Sequence, residues 1–396
     1  MSGLRILITN NTLANRAGSE LYVRDIATAL LARGHTPIAF TTLIGEIGQE
    51  LRQATIPVID DLDALAAPPD IIHGQHHLET MMALLRFPEA PAIYVCHGWL
   101  PWEESPPRFP RIMRYIAVDD TCRDRLLYEG AIPGDRVEVL LNFVDLNRFK
   151  PRGPLPPNPR RALIFSNYVS ESPYLAAVRE ACAEAGIELD VIGASAGNAT
   201  PRPEDSLGKY DLVFAQGRSA LEALAVGAAV VLCGMTGVGR MVTTTELDSL
   251  RRLNFGIRAL QQPISPQIIE QELARYNPAD AAAVSERIRA TAGRDAVVSE
   301  LIELYQSVIA EHRAAGARDV EAEARATSDY LRWLSPRMKA LDSIRAERDQ
   351  LRAEGAWRAS ELSMLRNSAI FRLNRSLLRA PLIPRLYRAL LRRGDG

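Results

Sequence analysis

The chain has 396 residues, is 47% apolar, and balances 47 Lys and Arg against 48 Asp and Glu for a formal net charge of −1. That balance excludes a globally basic nucleic-acid binder and an acidic, disordered tail protein. It hides a local asymmetry: residues 366–396 hold eight Arg (Arg366, Arg372, Arg375, Arg379, Arg385, Arg388, Arg392 and Arg393) and one acid, Asp395, so the segment is +7 and residues 1–365 are −8.

Length and apolar content allow two or three domains with proper cores. The four cysteines, Cys96, Cys122, Cys182 and Cys233, lie far apart in or beside apolar runs and lack metal-ligand spacing. Reduced core thiols in a cytosolic protein are expected. The opening MSGLRILIT enters a strand almost at once, so no signal peptide is expected, and no run approaches the roughly 18 apolar residues of a membrane span.

Residues 4–10 read as a short buried strand. A polar loop follows, and residues 20–33 repeat apolar side chains at helical spacing (Leu21, Ile26, Leu30) before stopping at Gly34. A strand at 37–41 completes a βαβ unit, which implies a parallel sheet covered by helices. The alternation continues with strands at 71–72, 92–96, 115–118 and 137–141 and helices near 79–86 and 121–129. Residues 151–161 (PRGPLPPNPRR) contain five Pro and read as an interdomain linker. Strands at 162–166, 189–192, 210–215 and 228–233 then alternate with helices at 174–185 and 220–225. Helices dominate from about residue 267. Residues 337–366 are charged, free of Pro and carry Leu341, Ile344, Leu351, Leu362 and Leu365 near 3.5-residue spacing, interrupted by Arg348 and Gly355. This is a short coiled coil or a solvated single helix. The basic segment after it mixes apolar residues with Arg and is broken at Pro381 and Pro384.

Several loops sit at strand carboxyl ends, where open α/β sheets bind ligands. In residues 10–20, Gly18 lets backbone approach a ligand at a helix start, with Ser19 as a helix cap in the plainer reading. His97 follows the strand at 92–96 and is a candidate for orienting a hydroxyl or transferring a proton. His73, His76 and His77 cluster without a fourth metal ligand, so hydrogen-bonding loop histidines are expected. Asn142 to Phe149 (NFVDLNRF) reads as a turn anchored by Phe143 and Phe149. Gly217, Arg218, Ser219 and Glu222 follow the strand at 211–215; Gly217 allows a tight turn, Ser219 is a cap, and Glu222 in the first turn either balances the helix dipole or accepts ribose hydroxyls. Gly234, Gly237, Gly239 and Arg240 read as a loop whose amides and guanidinium face a diphosphate. Asp61 and Asp63 form a DxD-like pair, read as a solvated loop.

Taken in order, ILITNNTLANRAGSELYVRDIATALLARGH, PDIIH, VCHGW, RYIAVDDTCRDRL, VEVLLNFVDLNRFKP and YDLVFAQGRSALEALAVGAAVVL resemble the landmarks of family-4-like, GT-B-type, nucleotide-sugar-dependent glycosyltransferases. The resemblance implies an α/β fold of two Rossmann-like domains facing each other, 1–150 on the acceptor side and 162–315 on the donor side, joined by 151–161 and followed by a helical extension, 319–396. It implies that Gly18, Ser19, Glu20 and His73 line the acceptor side, that His97 stands near the transferred sugar, and that Gly217, Arg218, Ser219, Glu222, Gly237, Gly239 and Arg240 hold the donor. The family's earlier acid, eight positions before Glu222, is Phe214 here, and its Arg and Lys after the first strand of the second half are missing from SNYVSESPY.

The implied chemistry is transfer of a sugar from a nucleotide diphosphate to an acceptor hydroxyl, of retaining type, without a metal or other cofactor, in cell-surface polysaccharide or glycolipid synthesis. The alternatives are an inactive relative acting as an assembly subunit through its helical tail, and a sugar-nucleotide epimerase. The expected partners are a nucleotide sugar, a sugar or lipid-linked acceptor, an anionic membrane surface through residues 366–393 and a second copy through residues 337–366, but no nucleic acid. The expected location is cytoplasmic, peripheral at the membrane.

Overall fold

The computed structural model describes residues 3–169 and 173–367. Residues up to Glu323 form one compact body, and those from Ala324 form a second unit. The body is built on two sheets.

The first half runs β1 (Arg5–Thr9), α1 (Gly18–Ala32), β2 (Thr36–Phe40), α2 (Glu46–Gln53), β3 (Val58–Ile59), β4 (Ile71–Gln75), α3 (His77–Arg86), β5 (Ala92–Cys96), β6 (Ile112–Ala117), α4 (Asp120–Asp124) and β7 (Val137–Val139). Its seven strands are all parallel, in the order β3-β2-β1-β4-β5-β6-β7. The central strands β1 and β5 are largely apolar because helices cover both faces; Ile6, Leu7, Ile8, Ile93, Tyr94 and Val95 are fully buried. Gly34 ends the first βα unit with φ +80, a left-handed turn open to glycine at no steric cost.

The second half runs β8 (Arg161–Phe165), α5 (Pro173–Glu184), β9 (Glu188–Ile192), α6 (Glu204–Leu207), β10 (Leu212–Ala215), α7 (Gly217–Val226), β11 (Ala229–Gly234), β12 (Gly237–Met241), α8 (Leu247–Arg252), α9 (Pro266–Leu273), α10 (Pro278–Thr291) and α11 (Arg294–Ala314). Its sheet order is β12-β11-β10-β8-β9, parallel except for β12. Gly227, at φ +97, closes α7. Ser265 and Asn277 cap α9 and α10, each followed by Pro at the helix start.

The chain crosses between the halves more than once. Phe143 lies 5.3 Å from the ring of Tyr22 in the first half, whereas Val144 and Phe149 belong to the core of the second. The Pro-rich segment is held against the second half: Arg152 N–H donates to Val226 O at 2.8 Å and its side chain pairs with Asp211 at 2.9 Å. Helix α11 then returns to the first half, where the Tyr305 hydroxyl lies 2.5 Å from His73 Nδ1 and Arg114 pairs with Glu311 at 2.7 Å.

Two readings need correction. The helix expected at 121–129 is α4 followed by a π turn, Arg125–Glu129. The glycine loop after β11 is a hairpin in which Gly234 pairs with Gly237. A Cβ on Gly237 would come within 2.7 Å of Gln262 O, and one on Gly239 within 2.6 Å of Ala259 O. These glycines therefore admit the backbone of residues 259–262 against an edge strand. Asp61 caps a short turn by accepting from Asp63 N–H at 2.9 Å, and Asp63 pairs with Arg86 at 2.5 Å. Helix α12 (Val320–Asn367) is continuous over 48 residues and contains Pro336. The basic segment from 368 onward lies outside the described residues.

Candidate functional site

Each sheet has one point where its strand order reverses. In the first sheet it lies between β1 and β4, in the second between β8 and β10. Side chains beyond the carboxyl ends of such strands face a crevice with no helix in the way. Here one pocket collects both edges. It is lined by Arg16, Ala17 and Gly18 after β1, by Ser166, Asn167 and Tyr168 after β8, and by Gln216, Arg218, Ser219 and Glu222 after β10.

Two helix starts open on this pocket. Gly18 begins α1, where a Cβ would meet nothing within 4 Å, so the space in front of it is open. Gly217 begins α7 with φ +59 and donates its N–H to Phe255 O at 2.8 Å. Neither helix has a side-chain cap: their flanking residues are Ala17 and Gln216. Ser19 and Ser219 are therefore not the caps that the sequence suggested. They lie one residue or more inside the helices, and the Ser19 hydroxyl donates to Glu20 at 3.0 Å. Uncapped amides at two helix starts favour an anion between them.

Four arginines, Arg16, Arg24, Arg148 and Arg218, also line the pocket. Arg218 is the hinge of the arrangement. Its Nε donates to Glu222 Oε1 at 2.8 Å, one helical turn on, and its Nη2 donates to Asp25 of α1, across the crevice. Arg24 also binds Asp25, at 2.7 Å, and Arg148 lies 3.9 Å from Asp25 while pairing with Glu204 at 2.9 Å. Burial alone would raise the Asp25 carboxyl, but Arg218 and Arg24 beside it hold it below its ordinary range. For Glu222 burial wins, and its carboxyl is raised in spite of Arg218. A second strap runs along the rim: Arg16 donates to Pro201 O at 3.0 Å, and Asn167 donates to Arg16 O at 3.2 Å.

The first half also holds a set of buried polar groups at the ends of β1, β4 and β5. His97 packs edge-on against Tyr22 at 4.5 Å, and its backbone N–H donates to Glu104 Oε2 at 2.9 Å. Its Nε2 is buried and accepts or donates no hydrogen bond among the described residues, as is also true of Asn10 Oδ1 and both amide atoms of Gln75. Such atoms cost free energy unless a ligand or water meets them. Burial pushes the His97 ring down to about 4 and the His73 ring down to about 3. Burial also disfavours charge on His76, but Glu104, 3.4 Å away, outweighs it and raises that ring. Burial raises the Glu20 carboxyl.

The sequence-derived residues thus fall into three places. Gly18, Arg218, Ser219 and Glu222 line the pocket, with Gly217 shaping its turn. His97 and Glu20 lie in the first half outside the pocket lining, and His73 is committed to Tyr305 in the core. Gly237, Gly239 and Arg240 are elsewhere: Arg240 is exposed and lies 3.4 Å from Glu246. Glu222 sits in the second turn of α7 and is paired there, so it is not a first-turn dipole partner. Phe214 is fully buried in the second-half core, among Ile164 and Val231. His76 turns to Glu104 and His77 packs against Trp102, so the three histidines do not converge. Among the described residues no group of three or more His, Cys, Asp or Glu side chains is placed to hold a metal. The sequence reading missed Asp25, Arg24 and Arg148. Asp25 had a signal, an acid on the apolar face of a helix.

Comparison with known proteins agrees with this geometry. Residues 16–148 match the family model described as Glycosyltransferase Family 4. A glycosyltransferase from Rickettsia africae superposes with a TM-score of 0.57 at 15% identity, covering 78% of this chain and 99% of that one. Alr3699/HepE from Anabaena, solved with UDP-glucose, superposes with a TM-score of 0.55 at 16% identity, covering 77% of this chain and 100% of that one. The fold is therefore the GT-B fold, two Rossmann-like halves facing each other. No curated protein sequence matches the chain. Among the described residues no helix is long and apolar enough to cross a membrane.

Two outcomes follow from the site's electrostatics. Arg218→Ala leaves Asp25 and Glu222 buried without their shared cation and is expected to cost about 3–5 kcal/mol in denaturant unfolding; adding Asp25→Asn should return part of the loss. A cost below about 1 kcal/mol would show that the bridge is not buried in solution. The second concerns pH. His73 and His97 stay neutral when folded, while unfolded histidine titrates near pH 6.5, so between about pH 6.5 and 4 the unfolded chain binds more protons and acidification destabilises the fold. His76 works in the opposite sense, its pair with Glu104 being lost as pH rises. Stability should fall from pH 7 to 5, and His97→Asn should shrink that fall by about 1–2 kcal/mol; identical pH profiles for the two chains would contradict the assignment.

Proposed function

We propose that the chain is a glycosyltransferase that takes a sugar from a nucleotide diphosphate and passes it to an acceptor hydroxyl. The observation that carries this reading is the pocket itself, where two uncapped helix starts and four arginines converge at the switch points of both sheets. A diphosphate leaving with negative charge is what such a field stabilises, and stabilisation of the leaving group is the main catalytic contribution expected. In this reading Glu222, which lines the pocket, accepts ribose hydroxyls once Arg218 releases it. The Anabaena relative's complex with UDP-glucose supports a uridine nucleotide as the first donor to try.

The acceptor lies on the first-half side of the reading. His97, neutral at pH 7, orients a sugar or acceptor hydroxyl through Nε2 instead of acting as a charged acid. The charge on the pocket comes from arginines, and no metal or cofactor is needed in this scheme. Retention at the transferred carbon, a cell-surface polysaccharide or glycolipid as product, and a cytoplasmic place beside an anionic membrane reached by residues 366–393 belong to the same proposal by analogy.

A second reading is an inactive relative that serves as an assembly subunit. Two observations favour it: Phe214 occupies the core position of the family's earlier acid, and Ser166, Asn167 and Tyr168 bring no cation to the pocket.

A thermal-shift screen against nucleotides and nucleotide sugars separates the two, because only a ligand of the folded state raises the melting temperature. Selective stabilisation by one nucleotide diphosphate sugar is expected, with Arg148→Ala and Glu222→Gln each weakening it about tenfold or more, and with nucleotide release falling at least 100-fold in His97→Ala. No stabilisation by any donor would favour the assembly subunit.

A further inference from the structure

We propose that residues 341–365 of α12 pair with a second copy of this chain as a parallel, in-register, two-stranded coiled coil. Helix α12 is continuous to Asn367, and at 1.5 Å per residue its 48 residues span roughly 70 Å. A helix that stays single in water is polar all round. This one exposes Ile344, Leu351 and Leu362, each more than half accessible.

The pattern of charge selects the partner. With Leu341 and Leu362 at heptad position a, and Ile344 and Leu351 at d, the residues that flank the seam sort by sign. Position g holds Glu347, Glu354 and Glu361, and position e holds Arg345 and Arg352. In a parallel pair g of one helix faces e of the next heptad on the other, which sets Glu347 against Arg352 twice by symmetry. In an antiparallel pair e faces e and g faces g, so acids would meet acids and arginines would meet arginines. A partner with the same distribution, in the same direction, relieves both, and a second copy supplies it.

The seam also limits the number of strands. Arg348 occupies an a position, and it already reaches Asp349 at 2.8 Å on its own helix surface. At a two-stranded seam an arginine can lay its stem on the apolar layer and keep its head in water, which a more enclosed core denies it. Arg358 at d and Gly355 at a weaken the seam, so the pairing is of modest affinity. Pro336 precedes the segment, so no proline interrupts residues 341–365. The proposal is independent of the donor reading, since no residue of the pocket takes part.

The test uses the full chain with Leu351→Cys, whose new thiol lies at the seam, and Ala353→Cys, whose thiol lies on the outer face. The four native thiols are buried and give little background. Under mild oxidation Leu351→Cys is expected to form a disulfide-linked dimer and Ala353→Cys at least tenfold less. In sedimentation, Glu347→Arg should weaken association about tenfold, and Glu347→Arg with Arg352→Glu should restore it. Equal crosslinking at the two positions, a monomer at tens of micromolar, or no rescue by the double variant would overturn the proposal.

Discussion

The guanidinium of Arg218 holds the site together. It joins a carboxylate from each half of the body, Asp25 on α1 and Glu222 on α7, and both are buried. Removing two carboxylates from water is costly unless a cation stands between them. That constraint fixes how closely α1 and α7 approach, and with them the two helix starts that face the pocket. It also makes the site's own chemistry conditional, because Glu222 can receive a ligand's hydroxyls only by sharing or surrendering Arg218.

The source of positive charge is the second feature of the molecule. The loop after β8 brings Ser166, Asn167 and Tyr168, none of them cationic. Three of the four arginines in the pocket, Arg16, Arg24 and Arg148, come from the first half or the segment leaving it. Each is held by an acid: Glu46 for Arg16, Asp25 for Arg24, Glu204 for Arg148. The arginines are thereby positioned in advance, and an incoming diphosphate exchanges one anionic partner for another instead of ordering free side chains.

Much of the fold was legible in the sequence because buried parallel strands announce themselves as apolar runs. ILIT, AIYVC and AVVLC are such runs, and Gly34 and Gly227 mark helix ends by the backbone they must adopt. Short or irregular elements were not legible: α2, β3 and β12 carry too few periods. The site was read in part. Gly18, Arg218 and Glu222 lie in the two helices that follow strand carboxyl ends, as local sequence indicates. Gly237 and Gly239 follow one too, inside strand β12, yet a glycine cluster looks the same whether it admits a phosphate or a neighbouring backbone. Phe214 looked like a lost ligand and is a core residue, since β10 is a central strand buried on both faces, with Val213 in the core on one side and Phe214 in the core on the other. Asp25, Arg24 and Arg148 are brought to Arg218 only by the docking of one half on the other, which no local spacing encodes.

The central claim is that the crevice between the halves is an anion site built on two helix starts. Amide hydrogen exchange with and without a saturating nucleotide diphosphate sugar tests it directly, because the first amides of α1 and α7 have no helical acceptor. The account predicts slowed exchange at residues 18–20 and 218–220, together with the loop at 166–168, and little change in the hairpin at 234–241. Protection confined to that hairpin, or none at either helix start while the ligand is demonstrably bound, would contradict it.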